Sequence, residues 1–352
     1  MQVRAALLTR AKAPLEIEML ELEEPLPDEV LIEVAAAGVG HADVLAQSGA
    51  ISVPLPAILG CEGAGSIVRV GRHVGALAPG DRVVLAPHAC GFAMPEAGGA
   101  GPRAAGMSAF SRAGGRVAAG PLGQSLFATH AVVRANHVVR VTNDLPWQLL
   151  ALLGGEVLAG ATAVMETLRP RPGDGLAIYG AGATGLGALM AAKLAGCHPI
   201  IVVDVKASRL ELAESLGATM TIDPDGLEPV AAIRGITDSG VAFSLDTTGL
   251  PAVVRQAVDC LAQDGVCALT VLAAQDAQLS LDMNHLLRGR TVRGTPSPDG
   301  MARERIARLI DFYQRGQFPA DRLIRDYPFE DVNRAVVDVA TGAAVKPVLL
   351  MR

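Results

Sequence analysis

The chain has 352 residues, 50% of them hydrophobic and only 19% charged, with 30 Lys and Arg against 36 Asp and Glu and a formal net charge of -6. That length suits two domains with sizeable cores, and the interspersed, mildly acidic charge offers no basic surface for a nucleic-acid backbone. Mean hydropathy is +0.36, yet the most apolar run, LLALLGGEVLAGATAVMETL, is cut by Glu156 and Glu166 before it reaches bilayer length.

The N-terminus lacks a basic, apolar, small-residue signal pattern, so a soluble cytoplasmic protein without membrane partners is expected. Cysteines at 61, 90, 197, 260 and 267 form no CxxC pair, which argues against a disulfide framework. In chain order, LIEVAAAGV, GAGSIVRVG, DRVVLAPH and HAVVRANHVVRV alternate or cluster as strands between turn signals such as APGD, and predict an antiparallel β domain. The Gly/Ala-rich stretch at 94–120 reads as a long irregular loop.

From Gly173 the texture changes. GLAIYG, GATGLGALMAAKLAG, PIIVVDV, KASRLELAESLGA, TMTID and VAFSLDTTG alternate short apolar runs with helical periodicity, which predicts βαβ units on a parallel sheet. Leu186, Leu189, Met190 and Leu194 fall at helical spacing and read as core. LRGRTVRG predicts a last strand and ARERIARLIDFYQRG an amphipathic helix. FEDVNRAVVDVATGAAVKPVLLMR predicts a helix and a strand that return to the first domain.

The run Gly180-Ala181-Gly182-Ala183-Thr184-Gly185 follows an apolar strand and opens a helix, and Asp204 ends the next strand. Strand, glycines, helix, strand and acid in that order form a dinucleotide fingerprint. The glycines permit a tight turn and a close backbone approach to a pyrophosphate, whose charge the helix N-terminus favours. Asp204 can accept from the adenosine ribose hydroxyls and would repel a 2′-phosphate, so NAD(H) is favoured over NADP(H).

The segments AAGVGHADVLAQSG, LPAILGCEGAGSIVRVG, GDRVVLAPHACG, GQSLFATHAVV, GAGATGLGALMAAKLAG, VVDVKASRLELAESLGAT, DTTG and FPADRLIRDYPFEDVNRAV together resemble the medium-chain dehydrogenase/reductase superfamily. Within it they are similar to the aryl (benzyl) and terpenoid alcohol dehydrogenases, over nearly the whole chain. The resemblance implies an α/β protein: a GroES-like, β-rich catalytic domain at 1–156 and 296–352, and a Rossmann domain with a doubly wound parallel sheet at 157–295. It implies Arg209 beside Asp204 at the adenosine ribose, His41 and Lys346 near the pyrophosphate, Thr248 near the nicotinamide, and a homodimer or homotetramer. The plain alternatives are a capping histidine in a turn for His41 and a surface lysine for Lys346.

Against that pattern the metal positions are altered. The family holds a catalytic zinc with a cysteine, a histidine and a second cysteine; the matching residues here are Gly40, Cys61 and Gly155. Two have no side chain, so the ordinary site cannot form and no zinc is expected. Of the four cysteines of the family's structural zinc only Cys90 remains, with Ala93, Glu96 and about Ala104 at the other places. Ala42 replaces the family's Ser or Thr proton relay, and Leu45 stands where a relay histidine is common.

Glu62 reads either as an electrostatic anchor for an Arg or the cofactor, or as a proton donor raised by burial. Glu156 is a second such donor. A displaced metal on Cys61, Glu62 and Glu156 is a further reading, and His41 joins the catalytic candidates, with His88 and His130 less well placed. The resemblance also implies an apolar substrate pocket near Leu45, Ala86, Phe92, Phe110 and Leu272, any of which reads equally as ordinary core.

Without a metal to polarise a carbonyl, hydride addition to an enal or enone is the less demanding chemistry, because the enolate charge is delocalised. The expected function is therefore zinc-independent, NAD(H)-dependent reduction of a hydrophobic aryl or terpenoid substrate, with conjugate C=C reduction favoured. Alcohol/aldehyde interconversion and a non-catalytic NAD-binding protein are the alternatives.

Overall fold

A computed structural model describes residues 1–86, 106–142, 144–274, 276–295 and 301–351. The chain divides into two compact units, one of Met1–Gly155, Pro298–Arg308 and Asp321–Arg352, the other of Glu156–Ser297 and Leu309–Ala320.

The first unit contains β1 (Gln2–Leu8), β2 (Glu16–Leu22), β3 (Glu29–Gly38), α1 (His41–Ser48), β4 (Ala57–Ile58), β5 (Glu62–Val70), β6 (Arg82–Leu85), β7 (Met107–Arg112), β8 (Gly115–Ala119), β9 (His130–Arg134), β10 (Val138–Arg140) and α2 (Trp147–Leu152). β1, β2, β7, β8 and β4 close a small barrel. The alternation in β2, EIEMLEL, shows why: Leu20 and Leu22 turn inward while Glu21 stays exposed.

The second unit begins with α3 (Glu156–Thr162), which runs into a π-helical stretch at Ala163–Leu168. It continues with β11 (Leu176–Tyr179), α4 (Ala183–Ala195), β12 (Ile200–Val203), α5 (Ala207–Leu216), β13 (Met220–Ile222), α6 (Pro229–Thr237), β14 (Val241–Asp246), α7 (Pro251–Asp259), β15 (Leu261–Leu269), α8 (Met283–Leu286) and β16 (Thr291–Gly294). All its strand pairs are parallel, in the order β13-β12-β11-β14-β15-β16. The strands β11 and β12 are buried throughout, as a sheet covered on both faces requires.

The helix α9 (Ala302–Gln314) passes from the first unit's residues into the second's, and β17 (Ile324–Pro328), α10 (Val332–Thr341) and β18 (Lys346–Leu350) belong to the first. There β18 pairs antiparallel with β3 and parallel with β17, extending the sheet β10-β6-β5-β3-β18-β17, with β9 also on β3. The first unit is thus mostly antiparallel, with parallel pairs at β4–β8 and β17–β18.

The expected loop at 94–120 is corrected in its second half. β7 and β8 form a hairpin there, with Arg112 opposite Gly115. The two-residue connection uses Gly114 at φ 109°, a left-handed conformation that glycine takes without strain. The Gly/Ala-rich composition hides the short strand MSAFSR, whose middle residues Ser108, Ala109 and Phe110 are buried. Among the described residues no helix is long and apolar enough to cross a membrane.

Candidate active site

In the second unit the dinucleotide fingerprint folds as a turn from β11 into α4. Gly180 has φ 95°, and a Cβ on it would stand 2.5 Å from Thr247 Oγ1 and 3.1 Å from Thr248 Cγ2. A Cβ on Gly185 would strike the carbonyl of Gly180. These two glycines press the turn against its own helix and against the loop after β14. Gly182 differs: a Cβ there meets nothing within 4 Å, and it is the N-cap of α4 with no side chain on the helix's first N–H groups. Ala183 and Thr184 open the helix and are buried. The geometry leaves donors open towards an anion.

Asp204 follows β12 and is buried, with Oδ2 accepting from Ala181 N at 2.7 Å and Oδ1 from Lys206 N at 2.8 Å. Each oxygen retains a lone pair for another donor. Arg209 Nη1 lies 3.9 Å from Asp204 Oδ2, and its buried Nε has no hydrogen-bond partner among the described residues. Open N–H groups at the start of α4, a carboxylate acceptor after β12 and the Arg209 guanidinium of α5 beside that carboxylate fit a dinucleotide.

A residue that sequence reasoning missed fixes the neighbouring loop. Buried Asp246 ends β14, with Oδ1 accepting from Thr248 Oγ1 at 2.7 Å and Oδ2 from Gly249 N at 2.9 Å. Burial pushes its carboxyl up, and these bonds oppose the shift. Thr247 Oγ1 donates to Tyr179 O at 2.9 Å and so ties this loop to β11. The signal was an acid before Thr-Thr-Gly, a pattern suited to side-chain capping of a turn.

In the first unit the strand order β5-β3-β18 assembles the other cluster. Glu62 opens β5 directly opposite Gly38 of β3, and Gly38 is opposite Val348 of β18. Lys346 lies two residues before Val348, hence on the same face. With no side chain at Gly38, Glu62 reaches across β3 and its Oε1 pairs with Lys346 Nζ. The two side chains are 1% and 0% exposed. Breaking such a buried pair from one side costs about 3–5 kcal/mol, because the remaining charge stays desolvated. Lys346 Nζ also donates to Val39 O at 3.2 Å.

Asp43 is fully buried beside them, accepting from Gly40 N at 3.0 Å and Gly60 N at 2.9 Å. Burial pushes it up to about 6, against those two bonds and the Lys346 charge. Lys346 is pulled down to about 8 by burial, with Cys61 and Asp43 opposing. His41 starts α1, half-buried, and burial lowers its pKa. Glu156 starts α3 in the second unit and is also half-buried.

Glu62, expected to anchor an Arg or the cofactor, pairs here with a lysine, and Lys346 is a core residue, not a surface lysine. Of the residues expected at the apolar pocket, Phe110 and Ala86 are buried, Leu45 and Leu272 half-buried, and Phe92 lies outside the described residues. So do His88, Cys90, Ala93, Glu96 and Ala104. His130 is half-buried on β9, its pKa lowered by burial against the Glu33 charge.

Comparison with known proteins decides the family. The alcohol dehydrogenase GroES-like domain family matches residues 26–143 and the zinc-binding dehydrogenase family residues 183–315. The chain is 39% identical to geraniol dehydrogenase of Castellaniella defragrans, over 99% of this chain and 97% of the relative. It belongs to the medium-chain dehydrogenase/reductase superfamily.

Among solved members of this superfamily, benzyl alcohol dehydrogenase from Acinetobacter calcoaceticus superposes with a TM-score of 0.90 at 37% identity, covering 100% of both chains. An alcohol dehydrogenase zinc-binding domain protein from Burkholderia ambifaria gives a TM-score of 0.92 at 38% identity, covering 100% of this chain and 99% of that one. This medium-chain dehydrogenase/reductase is an oxidoreductase. For the zinc that one family description implies, the donors do not fit. Gly40 and Gly155 have no side chain, and a Cβ on Gly155 would lie 2.6 Å from Glu62 Cδ, with Glu62 Oε2 nearer still. Among the described residues no group of three or more His, Cys, Asp or Glu is placed to hold a metal ion.

Proposed function

We propose that the protein is a zinc-independent, NAD(H)-preferring oxidoreductase that reduces the conjugated C=C bond of a hydrophobic aryl or terpenoid enal or enone. The observation that carries this reading is the carboxylate of Glu62, paired with Lys346 and lying where a side chain at Gly155 would stand. The dinucleotide turn supports the cofactor assignment, and Asp204, with its remaining lone pairs and negative charge, supports NAD(H) over NADP(H).

When bound, the nicotinamide supplies hydride chemistry. The chain's own residues would bind and orient it: the α4 N–H groups and Gly182 would receive the pyrophosphate, Asp204 and Arg209 the ribose, and Thr248, held by Asp246, would serve the nicotinamide end. Glu62 is committed to Lys346, which makes it a positioning residue and leaves His41 and Glu156 as the proton-transfer candidates. Burial favours neutral imidazole at His41, suited to hydrogen bonding near neutral pH.

A second reading is alcohol/aldehyde interconversion, favoured by the named activities of the relatives, geraniol dehydrogenase and benzyl alcohol dehydrogenase. One experiment separates them. Protein made with zinc supplied and purified without chelator is assayed for metal, then incubated with NADH and cinnamaldehyde. Metal-free protein releasing 3-phenylpropanal is the expected result. Cinnamyl alcohol as the product selects the second reading, and about one zinc per chain overturns zinc independence.

A further inference from the structure

We infer that the cleft between the turn after β5, the start of β10 and the first turn of α9 is a second ligand site, one that takes an organic phosphate of nucleotide size. The cleft holds about 510 Å³ and lies wholly within the first unit. That is the volume of a small-molecule pocket, far more than a single ion fills. Arg134, at the end of β9, stands opposite Glu29, which opens β3. The 10-residue length of β3, roughly 30 Å, therefore separates the cleft from Gly38 and the Glu62–Lys346 pair.

The charge here runs against that of the chain. Arg134, Arg140, Arg303 and His73 line the cleft, with Asp28 the one acid among its lining residues, whereas the whole chain stands at -6. Among the described residues the side chains of Arg134, Arg303, His73, Asn136 and Asp28 make no hydrogen bond or ion pair. Arg140 has Asp81 at 3.8 Å, and both are partly exposed. By contrast Arg4, Arg69, Arg82, Arg112 and Arg116 of the same unit each pair with an aspartate or glutamate. Guanidinium forks left without acids match phosphate oxygens, two N–H donors at a time.

The walls are fixed by the fold itself. Pro27 O accepts from His73 N at 2.8 Å and Asp28 O from Ala135 N at 3.0 Å, so two sides of the cleft hang on one segment. Val138 and Val139, buried through pairing with β6, add an apolar surface. Three arginines suit two or more negative charges, and the apolar surface suits an organic body. The Asp28 carboxylate suits hydroxyl or amine donors on that body. A phosphorylated sugar or nucleoside has all three, and an inorganic anion only the first.

The test is a calorimetric titration of the whole chain with ATP, with NADH in excess so that the dinucleotide turn is occupied. About one ATP per chain is expected, with Kd below about 1 mM at low salt and weaker binding as salt rises. Arg134→Ala/Arg303→Ala, at two exposed positions, is expected to weaken ATP about tenfold or more while Tm and NADH affinity stay unchanged. Arg134→Lys/Arg303→Lys keeps the charge but not the forks, and is expected to recover only part of that loss.

Inorganic pyrophosphate is expected to bind at least about fivefold more weakly than ATP, since it lacks the body that meets the valines. No ATP binding up to about 10 mM, or equal affinity in the natural chain and the alanine variant, overturns the inference. Pyrophosphate as tight as ATP overturns the assignment to an organic phosphate. ATP that binds only when NADH is left out belongs to the dinucleotide turn and counts against the cleft.

Discussion

Asp43 is a buried acid whose two oxygens are both taken by backbone N–H groups, at Gly40 and Gly60. Burial raises it from 3.8 to about 6, so between those values the folded chain holds more protons than the unfolded one. Its contribution to stability therefore falls as pH rises from about 4 to about 6. The stability advantage of the natural chain over Asp43→Asn, followed by urea melts across that window, is expected to decline with pH and then level off. A flat difference would mean that Asp43 titrates as an ordinary surface acid.

Asp204 makes a separate prediction. Exchange for Ser removes an ionised acceptor from the ribose end and from Ala181 N, and is expected to weaken NADH binding about tenfold or more. Calorimetric titration reads it, and unchanged affinity would remove Asp204 from the cofactor site.

Between elements, the crossing of α3 and α4 depends on small residues. A Cβ on Gly160 would stand 2.9 Å from Ala188 N and strike the Thr184 carbonyl, and one on Gly187 would stand 2.6 Å from Val157 O. Gly160→Ala is expected to cost about 1–3 kcal/mol by overpacking, seen as a lowered denaturation midpoint with unchanged m-value.

The dinucleotide turn was legible in the sequence because everything that defines it is local, from the strand before Gly180 to Asp204 after β12. Gly38 and Gly155 were not legible as room for Glu62: Gly38 depends on its register opposite Glu62 across β3 and β5, and Gly155 on how the turn between α2 and α3 meets that carboxylate. Lys346 reaches Glu62 only through that sheet, so spacing along the chain carries no sign of the pairing. The hairpin of β7 and β8 is intermediate. Its turn is local, but short runs rich in Gly and Ala look like loop until a neighbour such as β2 supplies pairing.

At the scale of the molecule, β16 stands at one edge of the second unit's sheet, and Met283 and Leu287 nearby are 76% and 79% exposed. An open strand edge beside exposed apolar side chains suits pairing with a second copy. Sedimentation is expected to give a mass above the 36.2 kDa of one chain, and Met283→Lys/Leu287→Lys to shift it towards the monomer without unfolding. A monomer at all concentrations would remove that expectation.

The threading of β18 between β3 and β17 has a consequence for how the protein is made. The second unit's sheet is complete once β16 has been synthesised, whereas the first unit's sheet lacks an inner strand until β18 emerges. On the ribosome the later-coded unit is therefore ready first, while Glu62 waits, hydrated, for a partner more than two hundred residues downstream. Nascent chains arrested before Lys346 should show a protease-resistant second unit and a still-cleavable first one.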